Sequence, residues 1–415
     1  MKRVETLIVG AGQAGLAMSR CLTDLAIDHV LLERGRVAER WRTERWDSLR
    51  LLTPNWQTRL PWFTYDGPEP DGFMTMTQVV GFLGQYAQSF AAPVETLTTV
   101  LTVTPVPGGF RVCTDRGTWM AETIVIATGH CDVPFVPSAA SRLPAHIHQL
   151  TPGAYRNPAQ LPQGGVLIVG ASASGIQLAE EIHQSGRAVT LSVGSHTRVP
   201  RRYRGRDIMW WLDRAGVLEE TADEVYDVEI SRAEPSLQLV GRNATLDLLS
   251  LRKLGVRMTG RLLAADRDDL RFADDLVSTT VAADIKLASL LKRLDDFAAR
   301  NDTARPLEPE EPFTPIWPEF MSGSTPFSIR TSDIRTIIWA TGYRRAYPWL
   351  HAPVLDNRGE IRHHGGISRF PGLYTIGLYF LSRRNSNFVD GVGADAFRLA
   401  EHIDAYLKGR LTAIA

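Results

Sequence analysis

The chain has 415 residues, enough for roughly two to three domains with large buried cores. Its 46 basic and 46 acidic residues leave a formal net charge of zero, which argues against a nucleic-acid or acidic-membrane partner. Cys21, Cys113 and Cys131 form no CxxC pair, so we expect no dithiol redox centre, metal site or disulfide framework.

The apolar segments of the chain are short. The first predicted strand begins almost at Met1, which leaves no room for a signal peptide, and no apolar run approaches the about 20 residues that a membrane span needs. The sequence therefore predicts a cytoplasmic protein without a membrane span.

A glycine-rich turn, GAGQAG (10–15), follows directly on an apolar run and precedes a helical pattern. In such a strand–turn–helix unit, Gly10 allows the tight turn, Gly12 lets a pyrophosphate approach the backbone, and Gly15 lets the helix pack on the strand. Glu33 ends the next apolar run, at the place of the acid that binds a ribose hydroxyl. This pattern predicts a dinucleotide site.

Four tryptophans are concentrated between residues 41 and 62, namely Trp41, Trp46, Trp56 and Trp62. The pattern fits a loop packed by its own aromatic rings and equally a loop folded over a flat cofactor. A helix is then predicted over 77–90. Antiparallel strands are predicted over 94–125, with a turn at 107–109, followed by a buried strand over 123–129.

After a Pro-rich linker over 134–162, the opening pattern recurs as GVLIVGASASG (165–175). Ser172 stands at the place of the middle glycine, where its small side chain still permits close approach and its hydroxyl can bind a phosphate. A helix over 176–185 and a strand over 188–193 are predicted to follow. Two such units in one chain indicate two nucleotides.

A basic run follows the second unit, with Arg198, Arg201, Arg202, Arg204 and Arg206. The run fits a solvated loop, or arginines that pair with an adenosine 2′-phosphate, for which we favour Arg198 or Arg201. Further on, an apolar stripe predicts an amphipathic helix, with its core positions at Ile285, Leu287, Leu290, Leu291, Leu294 and Phe297.

The last part of the chain begins after a second Pro-rich linker, over 306–326. The segment IRTIIWATGY (334–343) predicts a strand that rejoins the first sheet, and 372–378 predicts a last strand. Gly391-Val392-Gly393 opens a terminal helix over 394–407, whose N-terminal amides suit an anionic ring position. The fold class is α/β with two Rossmann-like domains: residues 1–150 and 330–415 form the first, and 160–325 form the inserted second.

Taken together, these motifs resemble those of the class B flavin monooxygenases, the group of flavin-containing monooxygenases and plant YUCCA-like enzymes. The resemblance spans nearly the whole chain and rests on GAGQAG (10–15), Glu33, Trp41, LRLLTPNWQTRLP (49–61), GASASG (170–175), VPR (199–201) and ATGY (340–343). It implies FAD in the first domain and NADPH in the second. NADPH would reduce the flavin, which adds oxygen to form a C4a-hydroperoxyflavin.

The resemblance also assigns cofactor-binding residues, which are Gly10, Gly12, Gln13, Ala14, Gly15, Glu33, Arg40, Trp41, Thr128, Gly129, Gly170, Ser172, Ser174, Gly175, Arg198, Arg201, Thr341, Gly342 and Gly377. Three family features differ here. In the fingerprint FxGxxxHxxx(Y/F/W), His148 takes the histidine place, but Arg142 and Pro144 stand where Phe and Gly belong, which argues against Baeyer–Villiger activity. The flavin-facing asparagine of animal-type members aligns with Leu52, and nearby Asn55 is the catalytic candidate. An arginine common in related enzymes aligns with Gly194, which leaves phosphate recognition to Ser195, His196, Arg198 or Arg201.

The function that we expect is oxygenation of a small molecule at a soft nitrogen or sulfur atom, with O2 as co-substrate. The sequence is compatible with a homodimer. The alternative is an NAD(P)H-dependent flavoprotein reductase or dehydrogenase that inserts no oxygen. A flavin-binding sensor without turnover is less consistent with two nucleotide turns, since a sensor needs only one.

Overall fold

Two sheets, each with a core of parallel strands, organise the chain. The computed structural model describes residues 1–225, 227–301, 306–310, 312–321 and 327–409. Within these ranges the α-helices are α1 (Gln13–Asp24), α2 (Glu39–Thr43), α3 (Met76–Ser89), α4 (Ala173–Gln184), α5 (Ile208–Arg214), α6 (Val228–Arg232), α7 (Leu248–Leu254), α8 (Leu276–Arg300) and α9 (Val392–Leu407). Short 3-10 helices lie at Asn55–Gln57, Ser138–Arg142, Pro158–Gln160, Trp317–Phe320 and Thr331–Asp333.

The strands of the first third of the chain are β1 (Lys2–Val9), β2 (His29–Leu32), β3 (Arg59–Leu60), β4 (Phe63–Thr64), β5 (Val94–Glu95), β6 (Val100–Val106), β7 (Gly109–Thr114), β8 (Gly117–Ile126) and β9 (Val133–Pro134). Those that follow are β10 (His148–Leu150), β11 (Gly165–Val169), β12 (Val189–Ser192), β13 (Thr197–Arg198), β14 (Arg202–Tyr203), β15 (Arg206–Asp207), β16 (Leu237–Gln238), β17 (Arg257–Thr259), β18 (Leu262–Ala265), β19 (Asp269–Phe272), β20 (Ser328–Arg330) and β21 (Ile334–Trp339). The last are β22 (Tyr343–Arg344), β23 (His363–His364), β24 (Ile367–Ser368) and β25 (Leu373–Thr375).

The first sheet has the order β23-β24-β25-β8-β1-β2-β5. At its centre β1 pairs in parallel with both β2 and β8, which places Leu7 beside Val30 and Ile124. Leu7 and Ile8 are fully buried, as expected for a parallel strand covered on both faces. Helices α1, α3 and α9 cover one face, and the antiparallel β6–β7 hairpin extends from β8 as predicted.

The second sheet has the order β10-β21-β11-β12-β17, and all of its pairs are parallel. Helices α4 and α7 pack on one of its faces. In sequence these strands lie between β8 and β25, which are neighbours in the first sheet. The second unit is therefore inserted into the first.

The prediction that residues 334–343 rejoin the first sheet is wrong. Strand β21 belongs to the second sheet, where Ile337 pairs with Leu167 of β11 and with Gln149 of β10. It is the second unit's counterpart of β8, since each lies beside the strand that precedes a glycine turn. The boundaries at 150 and 330 shift accordingly, because β10 and β21 both belong to the inserted unit.

Several local predictions agree with the structure. The helix predicted over 77–90 is α3, which begins with a capping box between Thr75 and Gln78. In α8, Leu287, Leu291 and Leu294 are buried as predicted, but Ile285 is 62% exposed and is not a core residue. The predicted 306–326 linker lies partly outside the described residues, at 311 and 322–326.

None of the helices in the described parts of the chain combines the length and the apolar character needed to cross a bilayer.

Candidate functional site

The first glycine turn connects β1 to α1, and close packing requires two of its glycines. Gly10 has a φ of +108°, and a Cβ there would lie 2.7 Å from the carbonyl oxygen of Ala127. A Cβ on Gly15 would lie 2.0 Å from the carbonyl oxygen of Gly10. These glycines therefore hold the helix against two neighbouring strands.

Gly12 is different, because the fold by itself does not require a glycine there. Its φ of −84° and ψ of −172° suit any residue. Beyond its two chain neighbours, no heavy atom of the described residues lies within 4 Å of the place where its Cβ would be. The open space at the start of α1, next to the first-turn N–H groups that have no acceptor within a helix, fits a phosphate.

Glu33 is held at this turn by two backbone donors. Its Oε2 accepts from Ala11 N at 2.9 Å, and its Oε1 accepts from Gly35 N at 2.9 Å. The residue is only 9% exposed. The carboxylate is therefore fixed beside the turn, with lone pairs left for further donors such as ribose hydroxyls.

Further predicted residues meet at the same turn. Trp41 donates from Nε1 to Gln13 Oε1 at 3.1 Å, and Gln13 Nε2 donates to Asn387 O at 3.5 Å. Arg40 donates to the Cys131 carbonyl and the Asp132 carboxylate. This network ties the loop after β2 to the segment that follows β8.

His130 lies in this network beside Asn387, at 3.4 Å between Nε2 and Nδ2. Burial, followed by the positive charges of Arg45, Arg345 and Arg40, lowers the pKa of His130 from 6.5 to about 4. The histidine is therefore neutral at physiological pH.

We expect the protein to lose stability as the pH falls from 6.5 toward 4. Over this range the unfolded chain binds a proton at residue 130 and the folded chain does not. The urea concentration at the unfolding midpoint should fall between about pH 7 and about pH 5, and it should fall less for His130→Asn than for the wild type. The exposed His148→Asn is the control, and an unchanged pH dependence in His130→Asn would contradict the prediction.

The second turn, between β11 and α4, repeats the geometry of the first. Gly170 also has a φ of +108°, and a Cβ there would lie 2.3 Å from Ala340 O. A Cβ on Gly175 would lie 1.8 Å from Gly170 O. Ser172 has a φ of −79° and a ψ of −173°, close to the values at Gly12. The sequence repeat is therefore a structural repeat.

The two ATG segments occupy equivalent places beside these turns. Gly129 and Gly342 have φ values of +77° and +90°. A Cβ at either position would have no described atom within 4 Å beyond its chain neighbours. Gly377 has a φ of +76°, and a Cβ there would lie 2.6 Å from Ala14 Cβ. The predicted residues at Thr128, Thr341 and Gly377 thus border the turns.

Comparisons with known proteins agree with this geometry. A profile of the family described as pyridine nucleotide-disulphide oxidoreductase matches residues 7–212. An uncharacterized CzcO-like oxidoreductase of Geobacillus kaustophilus is 31% identical over 407 residues, which cover 96% of this chain and 98% of the relative. The probable indole-3-pyruvate monooxygenase YUCCA1 of Arabidopsis thaliana is 25% identical, over 96% of this chain and 89% of its own length. The chain belongs to the class B flavin monooxygenase family.

Membership in this family makes the chain a flavoprotein oxidoreductase and implies a flavin and a pyridine nucleotide. The flavin-containing monooxygenase of Stenotrophomonas maltophilia has the same fold, with a TM-score of 0.69 at 18% identity over 98% of this chain and 100% of its own. In this monooxygenase-family chain, the two glycine turns are the places that suit the two cofactors.

The contacts of Arg198 argue against a phosphate-binding role. This side chain is 9% exposed, and its Nε donates to Asp284 Oδ1 at 2.5 Å. Its other amino groups lie 3.4 Å from Asp247 Oδ2 and 3.0 Å from Thr314 O. Arg198 therefore neutralises two buried carboxylates.

Arg201 is also buried and hydrogen-bonded to groups within the protein. The residue is 1% exposed, with Nε donating to Asp207 Oδ2 at 2.7 Å and Nη1 donating to Leu52 O at 2.8 Å. Burial lowers the pKa of Arg201, and Asp207 opposes that shift. Neither arginine offers the free, exposed guanidinium that a phosphate contact requires, because Arg198 pairs with Asp247 and Asp284 and Arg201 pairs with Asp207.

The tryptophan-rich segment does not form one continuous lid. Trp41 borders the first turn, whereas Trp46 is buried in the core of the second unit. Trp62 is 59% exposed and packs edge-on against Phe397 at 5.0 Å between ring centroids. Asn55 donates from Nδ2 to Glu69 O at 2.9 Å, which holds its own loop in shape.

Sequence reasoning missed a polar cluster beside the start of α9. The side-chain oxygens Gln57 Oε1, Thr58 Oγ1 and Asn385 Oδ1 are buried and have no hydrogen-bond partner among the described residues. Pro61 contacts the α9 start, 3.4 Å from the Cβ position of Gly393, and Asn385 O lies 2.1 Å from that of Gly391. In the sequence, the only indication of this cluster is that the polar residues Gln57 and Thr58 lie within the tryptophan-rich segment.

Unsatisfied buried oxygens are unfavourable in a folded protein unless a ligand or water completes them. The amide oxygens of Gln57 and Asn385 suit an N–H donor, such as the one on the polar edge of a flavin ring. The start of α9 adds helix N–H groups for an electron-rich ring edge. This cluster therefore fits the ring end of a bound FAD.

Proposed function

We propose that this protein is an FAD- and NADPH-dependent monooxygenase that oxygenates a small molecule at a soft nitrogen or sulfur atom. The observation that carries the proposal is the structural repeat of Gly10–Gly15 and Gly170–Gly175 on two sheets of one chain. In the first repeat the middle residue, Gly12, leaves room for a pyrophosphate at a helix start, and Ser172 has nearly the same backbone angles in the second. Two Rossmann-like units in a monooxygenase-family chain support two different dinucleotides.

The first unit would hold FAD, with its pyrophosphate at Gly12 and a ribose at Glu33. The buried oxygens of Gln57 and Asn385 would meet the ring edge. The second unit would hold NADPH at Ser172 and Gly175. Bound FAD supplies hydride acceptance and oxygen activation, which no side chain provides.

The contribution of this chain is to fix the two sites relative to each other. Arg59 donates from Nη2 to Asp390 Oδ2 at 2.9 Å, just before α9, and to Asp213 Oδ1 at 3.2 Å, on α5 of the inserted unit. Arg384 likewise donates to Glu220 and Glu234, each at 3.0 Å. Positioning is the main protein contribution to hydride transfer.

These ion pairs also close the region around the α9 start. The segment that follows α5 lies against residues 382–385, where Ala222 N donates to Ser382 O at 3.2 Å and Asn385 N donates to Leu218 O at 3.0 Å. A covered site excludes bulk water from a reactive cofactor. Such exclusion favours transfer of oxygen to substrate over its loss as peroxide.

An NAD(P)H-dependent reductase or dehydrogenase without oxygen insertion is the second candidate. The match of residues 7–212 to pyridine nucleotide-disulphide oxidoreductases favours it. A fold resembling the bacillithiol disulfide reductase of Staphylococcus aureus, at a TM-score of 0.60 and 13% identity, is compatible with it.

We expect the purified, flavin-loaded protein to oxidise NADPH in air and to convert a thioether to a sulfoxide that carries label from isotopically labelled O2. The experiment measures NADPH consumed, peroxide released and labelled product by mass spectrometry, with a tertiary amine as second substrate probe.

A monooxygenase gives labelled product and less peroxide than NADPH consumed. If NADPH oxidation instead yields only peroxide in air, and continues without oxygen when a quinone is supplied, the reductase is correct. Protein boiled before the assay is the control for label acquired without catalysis.

A further inference from the structure

Backbone hydrogen bonds align the two units residue by residue. They occur in equivalent pairs: Gly10 N to Leu32 O (2.8 Å) with Gly170 N to Ser192 O (2.9 Å), and Glu33 N to Glu95 O (3.1 Å) with Val193 N to Thr259 O (2.9 Å). Val193 is therefore the counterpart of Glu33, the first residue after the second strand of its unit.

The two counterparts have opposite consequences for a ribose. Glu33 presents a carboxylate beside its turn, which accepts from a free 2′-hydroxyl and repels a 2′-phosphate. Val193 is fully buried and carries no charge. The second unit therefore lacks the acid that selects an unphosphorylated ribose.

The next strand of each unit supplies a second pair of counterparts. In the first unit, Leu97 N donates to Gly35 O at 2.9 Å, and the Leu97 side chain is 53% exposed. In the second unit, Arg261 follows β17 and donates from Nη2 to Ser195 Oγ at 3.4 Å. A Cβ on Gly194 would lie 3.6 Å from Arg261 Nε. Glu33 and Leu97 of the first unit thus correspond to Val193 and Arg261 of the second.

Asp275 orients Arg261, but the Arg261 side chain remains accessible to a ligand. Its backbone N donates to Asp275 Oδ1 at 2.9 Å, and its Nε lies 3.8 Å from Asp275 Oδ2. The side chain remains 55% exposed. Arg198 and Arg201, by contrast, are at most 9% exposed and bound to interior carboxylates.

We propose that Arg261, together with Ser195, binds the adenosine 2′-phosphate and makes this protein prefer NADPH to NADH. This inference rests on the proposed function, which places a pyridine nucleotide at the second glycine turn. The guanidinium supplies charge-assisted donors and Ser195 adds a hydroxyl. Gly194 has no side chain to fill the space between them. The arginine comes from the loop after the third strand of the unit, whereas the sequence pointed to the run after the second.

Calorimetric titration of the flavin-loaded protein with NADP⁺, NAD⁺, 2′,5′-ADP and 5′-AMP tests the inference. Arg261→Gln should weaken binding of NADP⁺ and 2′,5′-ADP about tenfold or more, because one charge-assisted hydrogen bond is lost. NAD⁺ and 5′-AMP should change less than about twofold. Arg261→Lys should recover part of the loss. Arg257→Gln, an exposed arginine at the other end of β17, is the matched control and should change nothing.

Equal weakening of NADP⁺ and NAD⁺ in Arg261→Gln, at an unchanged thermal midpoint, would overturn the inference, as would no change for NADP⁺. Equal affinity of the wild type for both dinucleotides also overturns it, while the proposed pyridine-nucleotide site stands. Failure of the wild type to bind either dinucleotide removes the proposed function and the inference together.

Discussion

Gly12→Val is expected to fold and to purify nearly colourless, with almost no flavin per chain. Residue 12 has ordinary backbone angles and open surroundings, so the protein without cofactor accommodates a valine there. The same open space is where the pyrophosphate would meet the start of α1, and the added isopropyl group fills it. Flavin absorbance relative to protein, with the circular dichroism spectrum as a test of folding, measures the effect.

Two further glycine variants make this result specific. Gly81 is exposed on α3 and its Cβ position also meets no described atom within 4 Å, so Gly81→Val should keep full flavin. Gly15→Ala should fail to fold normally, since the new Cβ would lie 2.0 Å from Gly10 O. If Gly12→Val retains full flavin, the first turn is not the FAD site.

Arg198→Met is expected to destabilise the protein by about 3–5 kcal/mol, the cost of breaking a buried ion pair from one side. The change leaves Asp284 and Asp247 buried without their cation. Asp284 also accepts from Ile316 N at 2.8 Å and Trp317 N at 3.0 Å, so the loss extends to the segment before the 3-10 helix at Trp317–Phe320. Urea unfolding followed by tryptophan fluorescence measures the change.

Arg257→Met, the same substitution at an exposed position, should alter stability by less than about 0.5 kcal/mol. The ratio of NADP⁺ to NAD⁺ affinity should be unchanged in any Arg198→Met protein that folds. Wild-type stability with a selective loss of NADP⁺ binding would instead restore the phosphate-binding role that the sequence suggested for Arg198.

Both glycine turns could be predicted because their signals are local. Gly10 and Gly15, like Gly170 and Gly175, are five residues apart, and each pair is constrained by the contact between them and by the adjoining strand. The helix α3 was predictable for a similar reason, since its capping box and apolar stripe lie within one element. The insertion of one unit into the other followed from the order of these local patterns.

Local sequence patterns were thus enough to predict the two strand–turn–helix units, the acid at Glu33 and the family resemblance. The tertiary structure decided which sheet β21 joins, since residues 123–126 and 334–339 are both buried strands before an ATG segment and only pairing distinguishes them. It also decided which arginines face solvent. Arg198 is buried by carboxylates 49 and 86 residues away, whereas Arg261 stays half exposed beside Ser195. A charge in a sequence has no fixed partner, because the partner is supplied by whichever segments the fold brings next to it.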